Sequence, residues 1–256
     1  MARIWDGVIP EDERETWEAA GYGRRGEFGK RPALLVIDVS YDFTGDRRES
    51  IRESQKRFHN SCGEAAWDAI EHIRTLLDVA RERGTPVFYT TGPPAATLLQ
   101  RGGWLWKNAR GETRVKSEIS RRIGMQIVEE IAPAPGELVI EKTKPAAFYG
   151  TPLASYLTLL GIDDLIVCGT ATSGCVRATV IEAFNLNYHV QVVEEGTFDR
   201  GDVTHRVNLF DMNNKYGDVL PLAEVTEYLR GLAGDTYSDI ERYRADIVAT
   251  AGATAH

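Results

Sequence analysis

Short apolar runs dominate the chain from residue 32 onward, whereas the first 31 positions are polar and dotted with glycine. The earliest run is Ala33-Leu-Leu-Val-Ile, which follows Pro32 and ends at Asp38. Unbroken aliphatic runs of this length are typical of strands that are buried on both faces of a parallel sheet. Similar runs predict further strands at 86–91, 137–141, 164–168, 189–193 and 218–220.

Segments with helical periodicity separate these runs. In 63–83 the alanine, isoleucine and leucine positions form one apolar stripe, which Gly84 ends. Other helices are predicted at 11–20, 152–160, 175–187, 202–215 and 223–232, and Thr151 and Asp202 are candidate caps for two of them. The alternation predicts a single-domain, three-layer α/β sandwich with a central, mostly parallel sheet of about six strands, a Rossmann-like architecture with right-handed crossovers. We expect an N-terminal arm at 1–31, the domain at 32–233 and a C-terminal tail at 234–256.

Composition and charge narrow the class of protein. Hydrophobic residues make up 43% and charged residues 27% of the chain, as in ordinary globular proteins. The net charge of −8, without a block of like charge, argues against nucleic acid or an anionic membrane surface as a partner. The apolar runs are far shorter than the ~20 residues of a membrane span, and the first residues show no signal-peptide pattern. Three cysteines without a CxxC pair favour a reducing, cytoplasmic compartment.

Reactive side chains follow several of the predicted strands. Asp38 ends the first strand, Lys142 comes just after the third, Cys175 opens the helix after the fourth, and Arg200 comes a few residues after the fifth. Each residue has an ordinary structural explanation, such as a turn former, a solvated lysine, a small core residue or a surface ion pair. Because ligands bind at the carboxyl ends of parallel strands, the four together predict an active site at this edge.

Among these residues Cys175 is the best candidate nucleophile. A helix N-terminus and a nearby ammonium from Lys142 both favour the thiolate. Asp38 is placed to take the thiol proton and to pass it to a leaving amine. Gly169 and Gly174 allow the loop to turn tightly and to bring backbone N–H groups close to a substrate oxygen, as an oxyanion hole requires. None of the five histidines lies at a predicted strand end.

Three stretches resemble the isochorismatase-like cysteine hydrolases, in the same order along the chain. They are the first strand with the residues up to Phe43, the lysine motif at 142–153 and the nucleophile loop at 169–179. The resemblance runs from about residue 30 to residue 222. Lys142 stands six residues before Phe148, which is the family's spacing, so Lys144 is predicted to lie outside the site.

The resemblance implies a metal-free, cofactor-free triad of Asp38, Lys142 and Cys175 that acts on a C–N bond. It also implies a cis peptide before Ala171 and an oxyanion hole formed by the N–H groups of Ala171 and Cys175. The residues after the second predicted strand offer no His or Asp that could bind a metal ion.

Within this family, residues 20–32, 199–200 and 208–219 resemble the amidases that act on N-carbamoylsarcosine and maleamate. That likeness implies a small, carboxylate-bearing amide or ureido substrate, a thioester intermediate and the release of ammonia. It makes Arg200, Thr172 and Phe43 candidate substrate-binding residues, although an ion pair with a neighbouring aspartate is an equally good role for Arg200. It also implies a homo-oligomer, with a tetramer favoured, in which the arm and the loop carrying Trp104 and Trp106 are candidate contacts.

Three other functions are compatible with parts of this sequence. The stretch 21–26 matches GxGxxG, but it precedes the first strand, whereas a dinucleotide-binding motif follows one. A vinyl ether hydrolase of the isochorismatase type lacks the thiol that Cys175 supplies. A non-catalytic, partner-binding protein on the same fold stays as an alternative, although such a protein has no need for all three reactive groups.

Overall fold

The computed structural model describes residues 3–94, 96–107 and 117–253. Its central sheet has six strands, namely β1 (Pro32–Ile37), β2 (Val87–Thr91), β3 (Leu138–Glu141), β4 (Asp164–Thr170), β5 (His189–Phe198) and β6 (Asp218–Leu220). They lie in the order β3-β2-β1-β4-β5-β6, and every neighbouring pair is parallel. The predicted α/β sandwich with about six strands is therefore confirmed.

Twelve helices are found in the described part of the chain. They are α1 (Glu11–Ala19), α2 (Tyr41–Thr44), α3 (Ile51–Ser54), α4 (Glu64–Glu82), α5 (Leu98–Arg101), α6 (Trp104–Lys107), α7 (Glu118–Ile123), α8 (Leu153–Leu159), α9 (Arg177–Asn185), α10 (Asp202–Lys215), α11 (Leu222–Gly231) and α12 (Glu241–Ala253). The segment between β2 and β3 contains α5, α6 and α7, while residues 95 and 108–116 of that segment lie outside the described residues.

The alternating side chains of the strands fill two apolar layers. In β1, Leu35 and Ile37 face the layer under α8, α9 and α10, whereas Leu34 and Val36 face the layer under α4 and α11. All six residues of β1 are buried, which is why its sequence is an unbroken apolar run.

The strand order reverses between β1 and β4, and this position determines where a ligand can bind. In open parallel sheets the connections leave in opposite directions at such a point and open a crevice beyond the carboxyl ends. Gly169, with a φ of 108°, lets the two strands lie close together, because a Cβ there would stand 2.2 Å from the Ile37 carbonyl oxygen. The segments after β1 and β4 therefore meet at the crevice.

Local details differ from the prediction at two helices. Helix α10 begins at Asp202, but this residue makes no capping bond and pairs instead with Arg206. Helix α8 begins one residue after Pro152, and the Thr151 hydroxyl accepts the N–H of Leu153 while it donates to the Ala147 carbonyl. At α10 the pairing of Asp202 with Arg206 replaces the expected cap, whereas at α8 Thr151 does accept the first N–H of the helix.

The N-terminal arm packs against its own domain through aspartate side chains. The N–H of Gly26 donates to Asp218, and the N–H of Gly29 donates to Asp164 at 2.8 Å. The GxGxxG stretch belongs to this arm and precedes β1. None of the described helices combines the length and the apolar character that a membrane span requires. The boundaries predicted at 31/32 and 233/234 stay predictions.

Candidate active site

Asp38 and Lys142 form a buried ion pair at the carboxyl edge of the sheet. Lys142 Nζ lies 2.7 Å from Asp38 Oδ2, and the two side chains are only 4% and 5% exposed. The other carboxylate oxygen of Asp38 accepts the Thr90 hydroxyl at 2.8 Å. Asp38 has a φ of 52°, a left-handed conformation that a short polar side chain tolerates better than most.

Lys142 reaches Asp38 across a whole strand. Lys142 follows β3, and β2 lies between β3 and β1. The backbone of Lys142 therefore lies two strand spacings, about 10 Å, from that of Asp38. A lysine side chain spans this gap, and its ammonium also donates to the Lys144 carbonyl at 3.2 Å. Burial alone would lower the pKa of Lys142, but the charges of Asp38 and Cys175 and hydrogen bonds to both raise it above its ordinary value. The ammonium is therefore retained at neutral pH.

Cys175 lies in a π-helical turn, Thr172–Val176, that leads into α9. The sequence predicts Cys175 at the first residue of the helix, whereas in the structure the wider turn precedes α9. Cys175 is 8% exposed and interacts with Lys142, so the acid, the amine and the thiol are brought together as the sequence predicted. Their roles in catalysis stay a prediction.

The nucleophile loop, which we define as residues 169–176, is closed by its own backbone. The peptide bond between Thr170 and Ala171 is cis, as the resemblance implies. The Ala171 carbonyl accepts the N–H groups of Gly174 and Val176, at 2.9 and 3.2 Å. The proposed oxyanion hole of Ala171 and Cys175 belongs to this turn and stays a prediction.

Two side chains from the neighbouring elements tether this loop. The Thr172 hydroxyl lies 2.8 Å from His205 Nδ1 of α10. The Ser173 N–H and hydroxyl both donate to Asp199 Oδ2, at 2.8 and 2.6 Å. Thr172 is fully buried and is not among the residues that line the described cavity, and its predicted role in substrate binding stays a prediction.

A cavity of about 690 Å³ opens over the triad. Small-molecule sites typically have volumes of roughly 300–1,000 Å³. Asp38, Lys142 and Cys175 all line it. Its walls come from the segments after β1 and β2 and from α5, α6 and α7, and they include Phe43, Asn60, Gln100, Arg101, Trp104, Arg121, Arg122, Met125 and Lys144. A second cavity of about 440 Å³ at the amino ends of β2 and β3 holds none of the triad.

Phe43 and Arg200 differ in their relation to this cavity. Phe43 lines it, and the predicted role of Phe43 in substrate binding stays a prediction. The Arg200 guanidinium lies over the Phe43 ring, 5.5 Å from its centroid, and donates to the Asn60 carbonyl. Arg200 itself does not line the cavity in the described structure, and it makes no ion pair with a described aspartate. Its predicted role in substrate binding stays a prediction.

Sequence reasoning missed part of the wall. Arg121 and Arg122 line the cavity although neither follows a predicted strand nor belongs to a recognised motif. Lys144, which was predicted to lie outside the site, lines the cavity too, but its ammonium donates to the Gln100 carbonyl at 3.0 Å. The only signal in the sequence was the length of the loop, since long loops of compact domains often carry function.

The other two cysteines are inert by their surroundings. Cys168 is fully buried in β4, and burial raises its pKa. Burial raises the pKa of Cys62 to about 11. Both thiols are therefore protonated at neutral pH. Among the described residues, no three His, Cys, Asp or Glu side chains come together as metal ligands would.

Comparison with known proteins agrees with this geometry. The family model of the isochorismatase domain matches residues 32–224. The chain is 33% identical to a maleamate amidohydrolase of Pseudomonas putida over 88% of this chain and 98% of that protein. It is 34% identical to an N-carbamoylsarcosine amidase of an Arthrobacter species over 83% of this chain and 76% of that protein.

A solved structure shows the same fold. An isochorismatase family protein from Desulfovibrio vulgaris superposes with a TM-score of 0.62 and 28% identity, over 79% of this chain and all of that one. The family-model match at 32–224 spans all six strands, the lysine segment and the nucleophile loop. The chain therefore belongs to the isochorismatase family.

Proposed function

We propose that this protein is a cysteine amidohydrolase that cleaves the C–N bond of a small, carboxylate-bearing amide or ureido compound and releases ammonia. The observation that carries the proposal is the contact of Lys142 with both Asp38 and Cys175 at the floor of one cavity. The relatives named maleamate amidohydrolase and N-carbamoylsarcosine amidase support the same class of substrate.

In the proposed reaction Asp38 accepts the thiol proton of Cys175, and Lys142 stabilises the resulting thiolate. The sulfur attacks the amide carbon, and the N–H groups of Ala171 and Cys175 bind the oxyanion that forms. Asp38 then donates its proton to the leaving nitrogen, so that ammonia departs and a thioester remains. Water, deprotonated by Asp38, attacks the thioester and releases the acid and the thiol.

The test is ammonia release from a panel of half-amides of diacids and ureido acids. We expect turnover by the wild-type protein, and a mass increase on Cys175 that equals the acyl group when the reaction is quenched early. Cys175→Ala should abolish both signals. Cys62→Ala is the matched control, because this thiol is also buried but lines no part of the cavity, and it should retain activity. Ammonia release by Cys175→Ala at the wild-type rate would overturn the proposal.

We also infer a homo-oligomer, with a tetramer favoured, in the cytoplasm. Leu98, Leu99 and Trp106 are 64%, 91% and 80% exposed on α5 and α6, and apolar surface of this kind favours association. Trp104 instead donates to the Thr143 carbonyl within its own chain. The described cysteines are free thiols, as a reducing compartment favours. A monomeric mass in light scattering at micromolar concentration would contradict the oligomer.

A further inference from the structure

The second cavity, of about 440 Å³, lies at the opposite end of the sheet from the triad. Val87, at the start of β2, lines this second cavity, whereas Thr91, at the end of the same strand, lines the cavity over the triad. Four residues of strand span about 13 Å. A ligand in the second cavity therefore does not take the place of the substrate.

The wall of the second cavity includes a helix from outside the matched family domain. The turns before β2 and β3 form one part of the wall, α8 forms another, and α12 forms a third. Helix α12 begins at Glu241, whereas the family match ends at residue 224. The cavity therefore depends on a segment that the family match does not include.

Most of the residues that line this cavity are apolar. The Phe88 ring stacks against Tyr156, with the ring centroids 6.5 Å apart. Aliphatic side chains complete this surface, among them Val87, Leu138, Leu160, Ile240 and Ile247. An apolar cavity of about 150 Å³ holds benzene, so a ligand of about ten non-hydrogen atoms fits in this larger space.

Four charged residues line the cavity, and two of them neutralise each other. Arg81 donates through Nε and Nη2 to the two carboxylate oxygens of Glu137, at 2.9 Å each. Glu137 also accepts the Ala134 N–H at 2.7 Å. Asp246 is exposed on α12, so water solvates its charge. The remaining charged group is the guanidinium of Arg244.

Arg244 has no carboxylate partner in the part of the chain that the structure describes. Its half-buried guanidinium donates to the Gly84 carbonyl. Burial lowers the pKa of this guanidinium, against the opposing effects of Tyr237, Glu241 and Glu137. Charges that are removed from water are normally paired with an opposite charge. The Arg244 guanidinium therefore favours an anion as its partner.

Two glycines let Arg244 lie against the turns before β2 and β3. A Cβ on Gly84 would stand 3.3 Å from Arg244 Nη1, and a Cβ on Gly136 would stand 3.8 Å from the Arg244 carbonyl oxygen. The guanidinium is thus placed at the cavity before a ligand binds. Such preorganisation lowers the entropy that binding costs.

We propose that this cavity binds an apolar monocarboxylate of about ten non-hydrogen atoms, with its acid group on Arg244 and its hydrocarbon part among β2, α8 and α12. The planar guanidinium donates two parallel N–H groups to a carboxylate. One guanidinium balances one negative charge, whereas a doubly charged phosphate would leave a net charge in an apolar cavity. The proposal is independent of the proposed function, because no residue of the triad lines this cavity.

The first experiment compares octanoate with 1-octanol, which have the same chain length but differ in charge, by calorimetric titration. Arg244→Met keeps the apolar stem of the side chain and removes the charge. It should weaken the binding of octanoate by roughly 10–100-fold, the effect of losing hydrogen bonds to a charged group, and that of octanol by less than about three-fold. Arg230→Met, an exposed arginine on α11 that lines neither cavity, is the matched control and should bind both ligands as the wild type does.

Two further variants test the charge and the cavity separately. Arg244→Lys keeps the charge but loses the planar fork, so it should recover part of the affinity for octanoate. Ile247→Trp adds bulk to the apolar wall and should weaken the binding of octanoate and octanol alike. Octanol binding that is retained in Arg244→Met shows that the cavity is still formed in this variant.

Three results would overturn the proposal. The first is the absence of saturable octanoate binding to the wild type at millimolar concentration. The second is an equal loss of octanoate and octanol binding in Arg244→Met, which would show that Arg244 supports the wall and does not bind the acid. The third is octanoate binding that falls in Lys144→Met but not in Arg244→Met, since Lys144 lines the cavity over the triad. All these measurements report binding, so their outcome is distinct from that of the test for ammonia release.

Discussion

The side chains of Asp38 and Lys142 are almost completely buried. Each charge is therefore stabilised mainly by the other rather than by water. Removing ions from water costs several kcal/mol for each charge, and only a close partner with good geometry offsets that cost. Here the partner atoms are 2.7 Å apart, and Thr90 satisfies the second carboxylate oxygen. Loss of one member leaves the other as an uncompensated buried charge.

The pair therefore allows stability and catalysis to be measured separately. We expect Lys142→Met to lower the free energy of unfolding by about 3–5 kcal/mol, the usual cost of breaking a buried ion pair. The double replacement Asp38→Asn/Lys142→Met should recover much of that loss in urea titrations, because no lone charge remains. Ammonia release should be lost in the single and the double variant alike. A double variant as unstable as the sum of the singles would show that the pair is not coupled.

At the scale of single residues, the sequence predicts some residues of the site and misses others. Asp38, Lys142 and Cys175 could be predicted because each follows a strand, and parallel strands bring their carboxyl ends to one edge. Arg200 follows a strand as well, yet its position in the chain cannot reveal that its guanidinium lies over the Phe43 ring and does not line the described cavity. Arg121 and Arg122 lie on a short helix far from any strand end, so nothing in the spacing marks them.

At the scale of elements, the nucleophile loop is held from one side by β5 and α10. Asp199 comes directly after β5 and binds Ser173, while His205 of α10 binds Thr172. The two tethers fix Thr172 and Ser173, which lie between the proposed oxyanion donors Ala171 and Cys175. The loop is therefore positioned by side chains that lie outside the triad motifs.

His205 gives this contact a pH dependence. Burial lowers the pKa of His205, against the opposing effects of Asp199 and Asp202, so the folded protein resists its protonation. The unfolded chain binds that proton below about pH 6.5, the ordinary value for histidine. Its contribution to stability is therefore complete above that pH and is lost as the pH falls from there toward the lowered pKa of the folded state.

The measurement is urea unfolding of the wild type and of His205→Gln at pH 5.5 and pH 7.5. Gln keeps a polar group near Thr172 but does not titrate, so the drop in unfolding free energy between the two pH values should be smaller in the variant. Thr172→Val serves as the control, since it removes the hydroxyl and leaves the imidazole in place; its drop should stay close to that of the wild type. An equal drop in His205→Gln and the wild type would exclude His205 as the source.

The length of β5 shows why some element boundaries could not be predicted. The apolar pattern stops at Val193, but the strand continues to Phe198. An irregularity in the register between Val167 and Gly169 lets β4 and β5 resume pairing further along. Gly196 permits this, because a Cβ there would stand 3.2 Å from the Cβ of Cys168. The sequence after Val193 is mostly polar and does not predict a strand. The strand continues there because it pairs with β4.

For the whole molecule, the reversal of strand order places a cationic cavity on an acidic protein. The net charge of −8 repels anions at long range, and this repulsion is screened over about 8 Å at physiological ionic strength. Arg121 and Arg122 of α7 are among the cations that line the cavity itself. The net charge follows from the sequence alone. The sign of the charge in the cavity depends on which residues the fold brings together there.

The N-terminal arm is joined to the domain through buried carboxylates, and Asp164 is the most deeply placed of them. Asp164 is fully buried at the start of β4, where Oδ2 accepts the Gly29 N–H at 2.8 Å and the Tyr228 hydroxyl at 3.3 Å. Its other oxygen, Oδ1, has no hydrogen-bond partner within the described structure. A carboxylate in this setting is under-solvated, and burial raises the pKa of Asp164 to about 6.

A raised acid pKa means that Asp164 costs the folded protein stability at neutral pH. The folded state holds the proton up to about pH 6, whereas the unfolded chain releases it near 3.8, so this cost is absent below 3.8 and complete above about pH 6. A shift of about two pKa units corresponds to at most about 3 kcal/mol. Asp164→Asn, which keeps an acceptor for the Gly29 N–H, should therefore gain stability relative to the wild type as the pH is raised from 5 to 7.5. Urea titrations at the two pH values measure the difference, and a wild-type-to-variant gap that does not change with pH would show that Asp164 does not bear this charge in the folded protein.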